Sequence, residues 1–506
     1  MRQLTTLPNV IIEAQGITLP REDTLGLEKV RVQQRLSLPT LCELSFSDPP
    51  GPLPLSSSLE PGTTLRVLIS GHQEPLFVGQ VTAVEHVYGP ANQRQVFVRG
   101  YDLLHSLRKR QSIVAHVQVT PHDLARELVA DIGLTVQSEE TGPFWHQIIQ
   151  HHQSDFELLN EVAERSGLFL TIRENTLHLI TLNGMDEPLP LDLGDTLFEV
   201  RIEVNGDPAL RTVTAMGWDP LLVEVREGQA SSTRVGRQVS AEVSPNRLGG
   251  SGSRTFLDEV AQHDLHVESI AQNELDLQFN REVTLWGMAE GDPRLRPGAR
   301  VSIDGVADPI KGRYVLTSVN HIIDERKGFM SEISTEPPHH RVRSKSAGAT
   351  FGIVTQVDDP ESLGRVKVSL PTYGDVETEW MGVLSMGAGS EKGLVILPDV
   401  GDRVLVLLVN GDPGQGVVLG GLYGTQGPPD SGVLNGAVRR FTFLTPQGQR
   451  ILVDDAEDMI RLENSDGSFV ELAPGVVRLH SSTDLEIEAP GQSVTIRGST
   501  VDFERA

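Results

Sequence analysis

VVRLHSSTDLEIEAPGQSVTIRGSTVDFERA, residues 476–506, carries apolar residues in alternating pairs that are separated by short polar, Gly or Pro turns. The same pattern begins earlier, near residue 451, and successive pairs start 9, 10, 7, 8, 9 and 7 residues apart. Alternation of this kind places both members of a pair on one face of a strand. The seven pairs are Ile451/Val453, Ile460/Leu462, Val470/Leu472, Val477/Leu479, Leu485/Ile487, Val494/Ile496 and Val501/Phe503.

This repeat predicts an unusual kind of β-structure. A period averaging about eight residues, with two inward side chains per repeat, is typical of a β-helix or β-prism. Two inward residues per turn are too few to close a core around one chain. Three identical strips around an axis would close it and would leave few strand edges unpaired. An ordinary sandwich of two sheets is the alternative interpretation.

The composition excludes several classes of protein. The 506 residues include 43 basic and 69 acidic side chains, and the net charge of −26 disfavours binding to nucleic acid or anionic lipid. A single cysteine, Cys42, rules out an intrachain disulfide and a multi-cysteine metal cluster. Residues 1–20 carry Glu13 where a signal peptide needs an apolar core. We therefore expect a soluble protein that is made without a signal peptide.

Changes in pattern along the chain predict a series of domains. Short strands separated by Gly and Pro come first, mixed helical and strand patterns follow, and strands then return. A Pro-containing stretch that is poor in apolar residues predicts a boundary near residue 340. The predicted segments are 1–105, a first barrel; 106–210, a mixed α/β region; 211–340, a second barrel with a helical insertion; 341–350, a linker; 351–424, a five-stranded OB-type barrel; and 425–506, the apolar repeat.

Two helices of the middle region are predicted from local signals. In SDFELLNEVAERSGL, Ser154 and Glu157 fit a capping box, and Gly167 lies where the helix should end. Further on, GGSGS at 249–253 predicts a flexible linker. The stretch TFLDEVAQHDLHVESIAQNELDL at 255–277 then predicts a second helix.

OB-type barrels often bind single-stranded nucleic acid, but residues 351–424 do not favour it. Four basic residues stand against ten acidic ones, and few aromatic residues are available for base stacking. The basic residues are Arg365, Lys367, Lys392 and Arg403, and the aromatic residues are Phe351, Tyr373, Trp380 and Tyr423. The five-residue basic stretch HHRVR at 339–343 is weak evidence for a nucleic-acid patch.

Several short motifs suggest chemistry but fit structural roles better. The acidic cluster Asp454, Asp455, Glu457 and Asp458 matches no EF-hand spacing and predicts a solvated turn. His151 and His152, near Asp155, would point to opposite faces of a strand, which makes joint metal ligation awkward. GDPGQG at 411–416 joins strand to strand and predicts a hairpin corner rather than a phosphate loop. We predict no catalytic residue, cofactor site or metal site.

The stretch GIVTQVDDPESLGRVKVSLP, followed by ILPDVGDRVLVLLVNGDPGQGVVLGGLYG, closely resembles the OB domain shared by phage baseplate spike proteins and the valine-glycine repeat (VgrG) spikes of type VI secretion. Upstream, LEPGTTLRVLI, LFVGQVTAVEH, VRGYDLLHSLRKR, HHQSDFELLNEVAERSGLFL, AMGWDP and LRPGARVSI resemble the hub of that family. The order of hub, OB barrel and β-helix matches along nearly the whole chain.

This resemblance implies a mainly β fold, with a tandem tube-like β-barrel hub carrying α+β insertions, an OB-fold barrel and a C-terminal trimeric triangular β-helix. It implies the hub and membrane-puncturing spike of a contractile injection system, which adapts a hexameric inner tube to a threefold spike. Some relatives carry a peptidoglycan hydrolase, which is the alternative function. Only 27 residues separate Tyr423 from Ile451, too few for such a domain, and three follow Phe503, so we expect no enzyme.

The resemblance also implies the partners of the protein. They are two further copies of the chain, a hexameric tube protein at the hub, baseplate proteins, a proline-alanine-alanine-arginine (PAAR) tip protein and, transiently, the target membrane. The protein would be assembled in the bacterial cytoplasm and would join a phage tail-like particle that can be released or ejected. Phage, type VI and extracellular particles share this architecture, and the short needle favours an extracellular phage-like particle.

The same reasoning assigns residues to the spike. The predicted trimer core is the first six apolar pairs, with Ile487 inward and Glu488 outward: Ile451, Val453, Ile460, Leu462, Val470, Leu472, Val477, Leu479, Leu485, Ile487, Val494 and Ile496. Some phage spikes hold an axial metal ion through a His-x-His pattern, but His480 is the only histidine beyond His340. Exposed Val501 and Phe503 are instead predicted to bind the tip protein.

Overall fold

The computed structural model describes residues 8–47, 58–90, 93–219, 224–261, 263–338 and 347–504. The basic stretch at 339–343 and most of the predicted linker at 341–350 lie outside these residues. The chain divides into two compact units, residues 1–421 and 422–506, which are treated separately below. Strands outnumber helices in both units, and this confirms the mainly β class. Within the described residues no helix is both long and apolar enough to span a membrane.

The described residues among the first hundred include seven strands and a short helix. Their bounds are β1 Val10–Ala14, β2 Ile17–Thr18, α1 Arg21–Thr24, β3 Leu27–Arg35, β4 Leu38–Ser47, β5 Thr64–Ile69, β6 Phe77–Tyr88 and β7 Arg94–Tyr101. Alternating residues of these strands, such as Val30 and Val32 on β3, are buried in a common core. This period of two is the sequence signal of strands with one face covered.

The mixed region that follows contains the next three helices. Its elements are α2 Leu104–Leu107, β8 Val114–Val119, α3 Pro121–Val129, β9 Thr135–Ser138, β10 Trp145–Gln150, α4 Asp155–Arg165, β11 Phe169–Arg173 and β12 Thr176–Ile180. The capping box predicted at Ser154 and Glu157 is present, with the Glu157 amide donating to Ser154 Oγ at 3.3 Å. The helix ends at Arg165, and Gly167 adopts a φ of +69° just beyond it.

The segment from residue 8 to residue 338 is here called the hub, after the resemblance described above. Residues 185–334 form its second half. The elements are β13 Met185–Asp192, β14 Leu197–Val204, β15 Thr212–Asp219, β16 Glu224–Ala230, β17 Gln238–Val239, β18 Ser253–Val260, α5 Asp264–Glu282, β19 Val283–Glu290, β20 Ala299–Asp304, β21 Gly312–Val315, β22 Ser318–Asp324 and β23 Gly328–Ser334. Strands β13 and β14 pair with β20 and β19. The second barrel was predicted to begin at residue 211. Its strands begin earlier, because β13 and β14 already pair with strands of this half.

The two halves of the hub share one eleven-stranded sheet. Its order is β14-β19-β23-β22-β3-β4-β7-β6-β5-β1-β2, so β22 of the second half pairs with β3 of the first. The sheet contributes to two hydrophobic cores, and Ile323 of β22 and Phe329 of β23 pack into the core of the first half. Because β3 and β22 are almost 300 residues apart in sequence, this junction is visible only in the folded chain.

The helix predicted at 255–277 begins later than its pattern indicated. Residues 253–260 form strand β18, which pairs in parallel with β15, and α5 starts only at Asp264. Thr255 and Phe256 favour strands, and sheet pairing prevails over the helical spacing of the apolar residues. The helix packs directly on β16, since a Cβ at Gly228 would lie 2.3 Å from the backbone nitrogen of Glu268.

The OB domain forms a six-stranded sheet, β26-β25-β24-β28-β29-β27, around its own core. Its strands are β24 Gly348–Gln356, β25 Lys367–Leu370, β26 Val376–Glu377, β27 Gly382–Val383, β28 Arg403–Leu408 and β29 Gly416–Gly421. The sheet thus has six strands where the sequence predicted five. The Gln147 side chain fastens this domain to the hub, donating to the Glu377 carbonyl and accepting from the Glu379 amide, both at 2.9 Å.

The second unit is a β-meander. It contains β30 Val433–Leu434, β31 Ala437–Val438, β32 Arg440–Leu444, β33 Arg450–Asp454, β34 Met459–Glu463, β35 Phe469–Ala473 and β36 Val476–His480. Strands β32–β36 pair antiparallel in sequence order. Residues 481–504 are described and contain no strand within one chain. The β-helix stays a prediction about the assembled protein.

Two buried histidines give the hub a pH-dependent stability. His266 stacks on Trp145, with ring centroids 4.9 Å apart, and its Nε2 lies 2.9 Å from the carbonyl oxygen of Phe144. His321 places Nδ1 2.8 Å from Ser331 Oγ. Burial lowers the pKa of each imidazole from 6.5 to about 4.

Lowering the pH from 7 to 4.5 should therefore reduce the free energy of unfolding by about 2–3 kcal/mol per histidine. Above pH 6.5 both are neutral in the folded and the unfolded chain. Below it, the unfolded chain takes up protons that the folded chain accepts only near pH 4. Urea unfolding of the wild type and of His321→Gln at both pH values tests this. The wild type should lose more stability than the variant, and equal losses would contradict the expectation.

Candidate functional site

The second unit displays two rows of apolar side chains, here called the apolar face. Within each row the residues are direct cross-strand partners, because all four hairpins of β32–β36 keep the same register. One row is Phe443, Ile451, Leu462, Val470 and Leu479. The other is Phe441, Val453, Ile460, Leu472 and Val477. The structure thus brings the first eight predicted core residues together on one face of the sheet.

This face is open in a single chain. Nine of its ten side chains are 39–71% exposed, and only Val453 is half-buried. A concavity of about 520 Å³ runs along the row from Phe443 to Leu479 and is bordered by Leu485 from the segment after β36. A continuous apolar surface of this kind marks an interface rather than a solvated sheet.

The opposite face of the same sheet is polar and internally paired. Arg461 donates to Glu463 at 2.9 Å and to Glu471 at 3.1 Å, and Arg478 donates to Glu471 at 2.7 Å. The Arg461 guanidinium also lies 3.9 Å from the centre of the Phe469 ring. A face whose charges are matched within one chain suits contact with water.

His480 lies on this polar face. Its ring stacks on Phe469, with centroids 5.0 Å apart, and the next residue back, Leu479, belongs to the apolar face. His480 also borders the end of the concavity that runs along the apolar face.

The remaining predicted core residues lie beyond the last strand. Leu485, Ile487, Val494 and Ile496 are all exposed. Only Leu485 borders the same concavity as the apolar face. Val501 and the 91% exposed Phe503, the predicted tip-binding pair, lie in the same segment without strands.

Sequence reasoning missed Phe441 and Phe443, the first rung of both rows. Their signal was present, because they alternate around Thr442 and precede Ile451 and Val453 at a spacing within the range of the repeat. The structure places them directly across from Val453 and Ile451.

The motifs that suggested chemistry have structural partners. Asp454 Oδ1 accepts from the backbone amides of Ala456 and Glu457, at 2.8 and 3.2 Å, and tightens the turn between β33 and β34. In GDPGQG, Asp412 Oδ1 accepts from the Gly414 amide at 2.9 Å in the connection from β28 to β29. Both motifs thus stabilise turns between strands.

The expected geometry of His151 and His152 was wrong. The two residues follow the end of β10 in a bend, and their rings meet edge to face with centroids 3.8 Å apart. Asp155 instead pairs with Arg110 at 3.1 Å. Among the described residues, no group of three or more potential ligands is arranged to hold a metal ion.

Comparisons with known proteins agree with this architecture. A sequence family described as the type VI secretion system/phage-baseplate injector OB domain matches residues 350–423. The actin cross-linking toxin VgrG1 of Vibrio cholerae serotype O1 is 27% identical over 194 residues, which cover 33% of this chain and only 18% of that protein.

Two solved structures share the fold over most of the chain. A Francisella PdpA-VgrG complex gives a TM-score of 0.56 at 10% identity, covering 95% of this chain and 81% of that one. An E. coli component of the type VI secretion system, similar in structure to the T4 bacteriophage tail proteins gp27 and gp5, gives 0.55 at 11% identity, covering 81% and 99%. At such low identities these structures show the fold alone.

The OB domain, the shared fold and the apolar face define the class: this is a VgrG-like protein of the hub and spike type. The resemblance seen in the sequence is thereby confirmed. The chain belongs to the family described as the Alg8 N-terminal domain, whose match covers residues 7–325 and so more than half of the chain.

Proposed function

We propose that the protein is the structural hub and membrane-puncturing spike of a contractile injection system and that it works as a homotrimer. The observation that carries the proposal is the apolar face of β32–β36, which one chain leaves open while the reverse face satisfies its own charges. Three copies packed around an axis would bury these rows against one another. Residues 481–504 would then find strand partners in neighbouring chains.

The hub would form the adaptor to the tube. Each chain contributes two halves, which supply seven and four strands to the shared sheet, and the resemblance implies that each half is barrel-like, so three chains would present six such halves around the axis. Six repeats can meet a hexameric tube protein although the trimer itself has only threefold symmetry. Baseplate proteins would surround the same hub, and the particle would be assembled in the bacterial cytoplasm.

The work of such a protein is mechanical, and we propose that it involves no catalytic turnover. A spike must resist bending and unfolding while it crosses a membrane, and a sheet interwoven between chains leaves few edges to peel. In the acidic cluster of the second unit, Asp454 accepts hydrogen bonds from two backbone amides of a turn. A peptidoglycan hydrolase therefore has no specific observation in its favour.

The proposal predicts the mass of the purified protein. Multi-angle light scattering of the full-length chain at micromolar concentration should give three times the 55.2 kDa of one chain. Dilution should not dissociate the trimer easily, because each chain buries an entire sheet face in it. A mass of one or two chains would overturn the proposal.

A further inference from the structure

A buried arginine near the end of α5 has hydrogen-bond donors without acceptors. Arg237 is only 6% exposed, and its Nη2 donates to the carbonyl oxygen of Phe279 at 2.9 Å. Its guanidinium also lies 4.3 Å from the centre of the Phe279 ring. Its Nε and Nη1 have no hydrogen-bond partner among the residues that the structure describes.

The carboxylate of Glu282, which interacts electrostatically with Arg237, is already paired with another arginine. Glu282 accepts from Arg211 through both oxygens, with Nη1 to Oε1 at 2.5 Å and Nη2 to Oε2 at 3.4 Å. Burial lowers the pKa of Arg237, and the charge of Glu282 only opposes this. Buried donors of a charged group are costly when left unpaired, so the position calls for an acceptor.

The space for that acceptor adjoins the guanidinium. A cavity of about 690 Å³ is lined by Arg237, Arg211 and Arg247, together with the polar side chains of Ser244 and Asn246. Its volume lies within the usual range of small-molecule sites, about 300–1,000 Å³.

The cavity has an excess of positive charge. Besides its three arginines, two acidic side chains line it: Glu282, which is paired with Arg211, and the exposed Glu242. Three positive charges thus face two negative ones in a chain whose net charge is −26. This concentration of arginine favours an anion over a neutral ligand.

We propose that this cavity binds a small-molecule oxyanion, a phosphate or carboxylate group, through the unpaired N–H groups of Arg237, with Arg247 as the second cation. Guanidinium donors match the oxygens of both groups and form strong, charge-assisted hydrogen bonds with them. The bound anion would join the loop 237–247 to the end of α5 and stabilise the second half of the hub. This site is independent of the apolar face and of trimer formation.

The test uses the full-length protein with inorganic phosphate and succinate as separate probes, at an ionic strength held constant with chloride. Isothermal titration calorimetry should give saturable binding of at least one probe, with a matching rise in Tm that grows with the probe's concentration. Binding of phosphate alone, of succinate alone or of both would each support the site and identify its preferred oxyanion. No saturable binding of either at millimolar concentration would overturn it.

Variants locate the binding. Arg237→Gln should weaken it roughly tenfold or more, since a hydrogen bond from a charged donor is lost. Arg247→Gln changes an exposed side chain, so it tests the same cavity even where Arg237→Gln fails to fold, and it should weaken binding measurably. Arg126→Gln, on the exposed side of α3, removes the same charge far from the cavity and should bind as the wild type does. Equal affinities in all variants would contradict the proposal.

Discussion

Replacing Leu462 with aspartate is expected to reduce the protein from a trimer to single chains at micromolar concentration. Leu462 lies on β34, the middle strand of its sheet, directly across from Ile451 and Val470. The proposed assembly buries one copy from each chain close to the axis. An uncompensated buried carboxylate costs about 3–5 kcal/mol, and the trimer would hold three of them near one another. Light scattering measures the mass directly.

The matched control is Thr442→Asp, which adds the same charge to the same sheet on its other face. Thr442 is exposed, pairs with Leu452 and alternates with Phe441 and Phe443. Its aspartate would remain in water, so the control protein should keep the trimer mass. A trimeric Leu462→Asp protein, or a Thr442→Asp protein that dissociates, would show that the apolar face is not the interface.

The same comparison can be extended beyond the last strand. If the repeat continues through residues 481–504, Ile487→Asp should weaken the trimer strongly, whereas Glu488→Ala should leave it intact. Adjacent residues of a strand point to opposite faces, so the reverse result would move the inward register by one residue.

The strands of the second unit could be predicted from the sequence because the signal for each strand is local. Alternating apolar residues and Gly, Asn or Asp at the corners set each strand of β32–β36 by itself, and neighbouring hairpins then align the rows. The capping box of α4 was readable for the same reason, since Ser154 and Glu157 are three residues apart.

The pairing of strands that are far apart in the sequence could not be predicted in this way. The stretch Ser253–Val260 has mixed signals, and only its partner strand β15, about 40 residues earlier, makes it a strand. The junction of β22 with β3 depends on residues such as Arg31 and Asn320, which are joined by a 3.2 Å hydrogen bond across 289 positions. No local pattern encodes such a contact, so the place where the two halves of the hub join had to come from the structure.

The arginine cavity shows the same limit for sites. Arg211, Arg237, Arg247 and Glu282 are far apart in sequence and form no motif. These residues form a candidate site because Arg237 is buried and because Arg211 already pairs with Glu282. Neither fact can be predicted from composition. By contrast, most of the apolar face could be predicted, because its chemistry is a periodic repeat.

Replacing both Val501 and Phe503 with serine is expected to abolish co-purification of a PAAR-type tip protein while leaving the trimer intact. Phe503 is 91% exposed and Val501 is about half exposed, and the proposed trimer would gather three copies of each into one apolar patch. Such a patch is the kind of surface that binds a partner. The two serines remove that apolar surface without adding charge, so binding should fall below detection in a pull-down of the tagged tip protein.

Asp502→Ser is the control for this experiment, because it changes the residue between the two apolar ones and leaves both in place. It should retain the tip protein, and all three proteins should have the trimer mass. The same register also predicts that His480 holds no metal ion on the threefold axis. The ring of His480 stacks on that of Phe469, and the predicted register turns this imidazole away from the axis, so a metal ion on the axis would contradict that register. Retention of the tip by the double serine variant would show that its binding surface lies elsewhere.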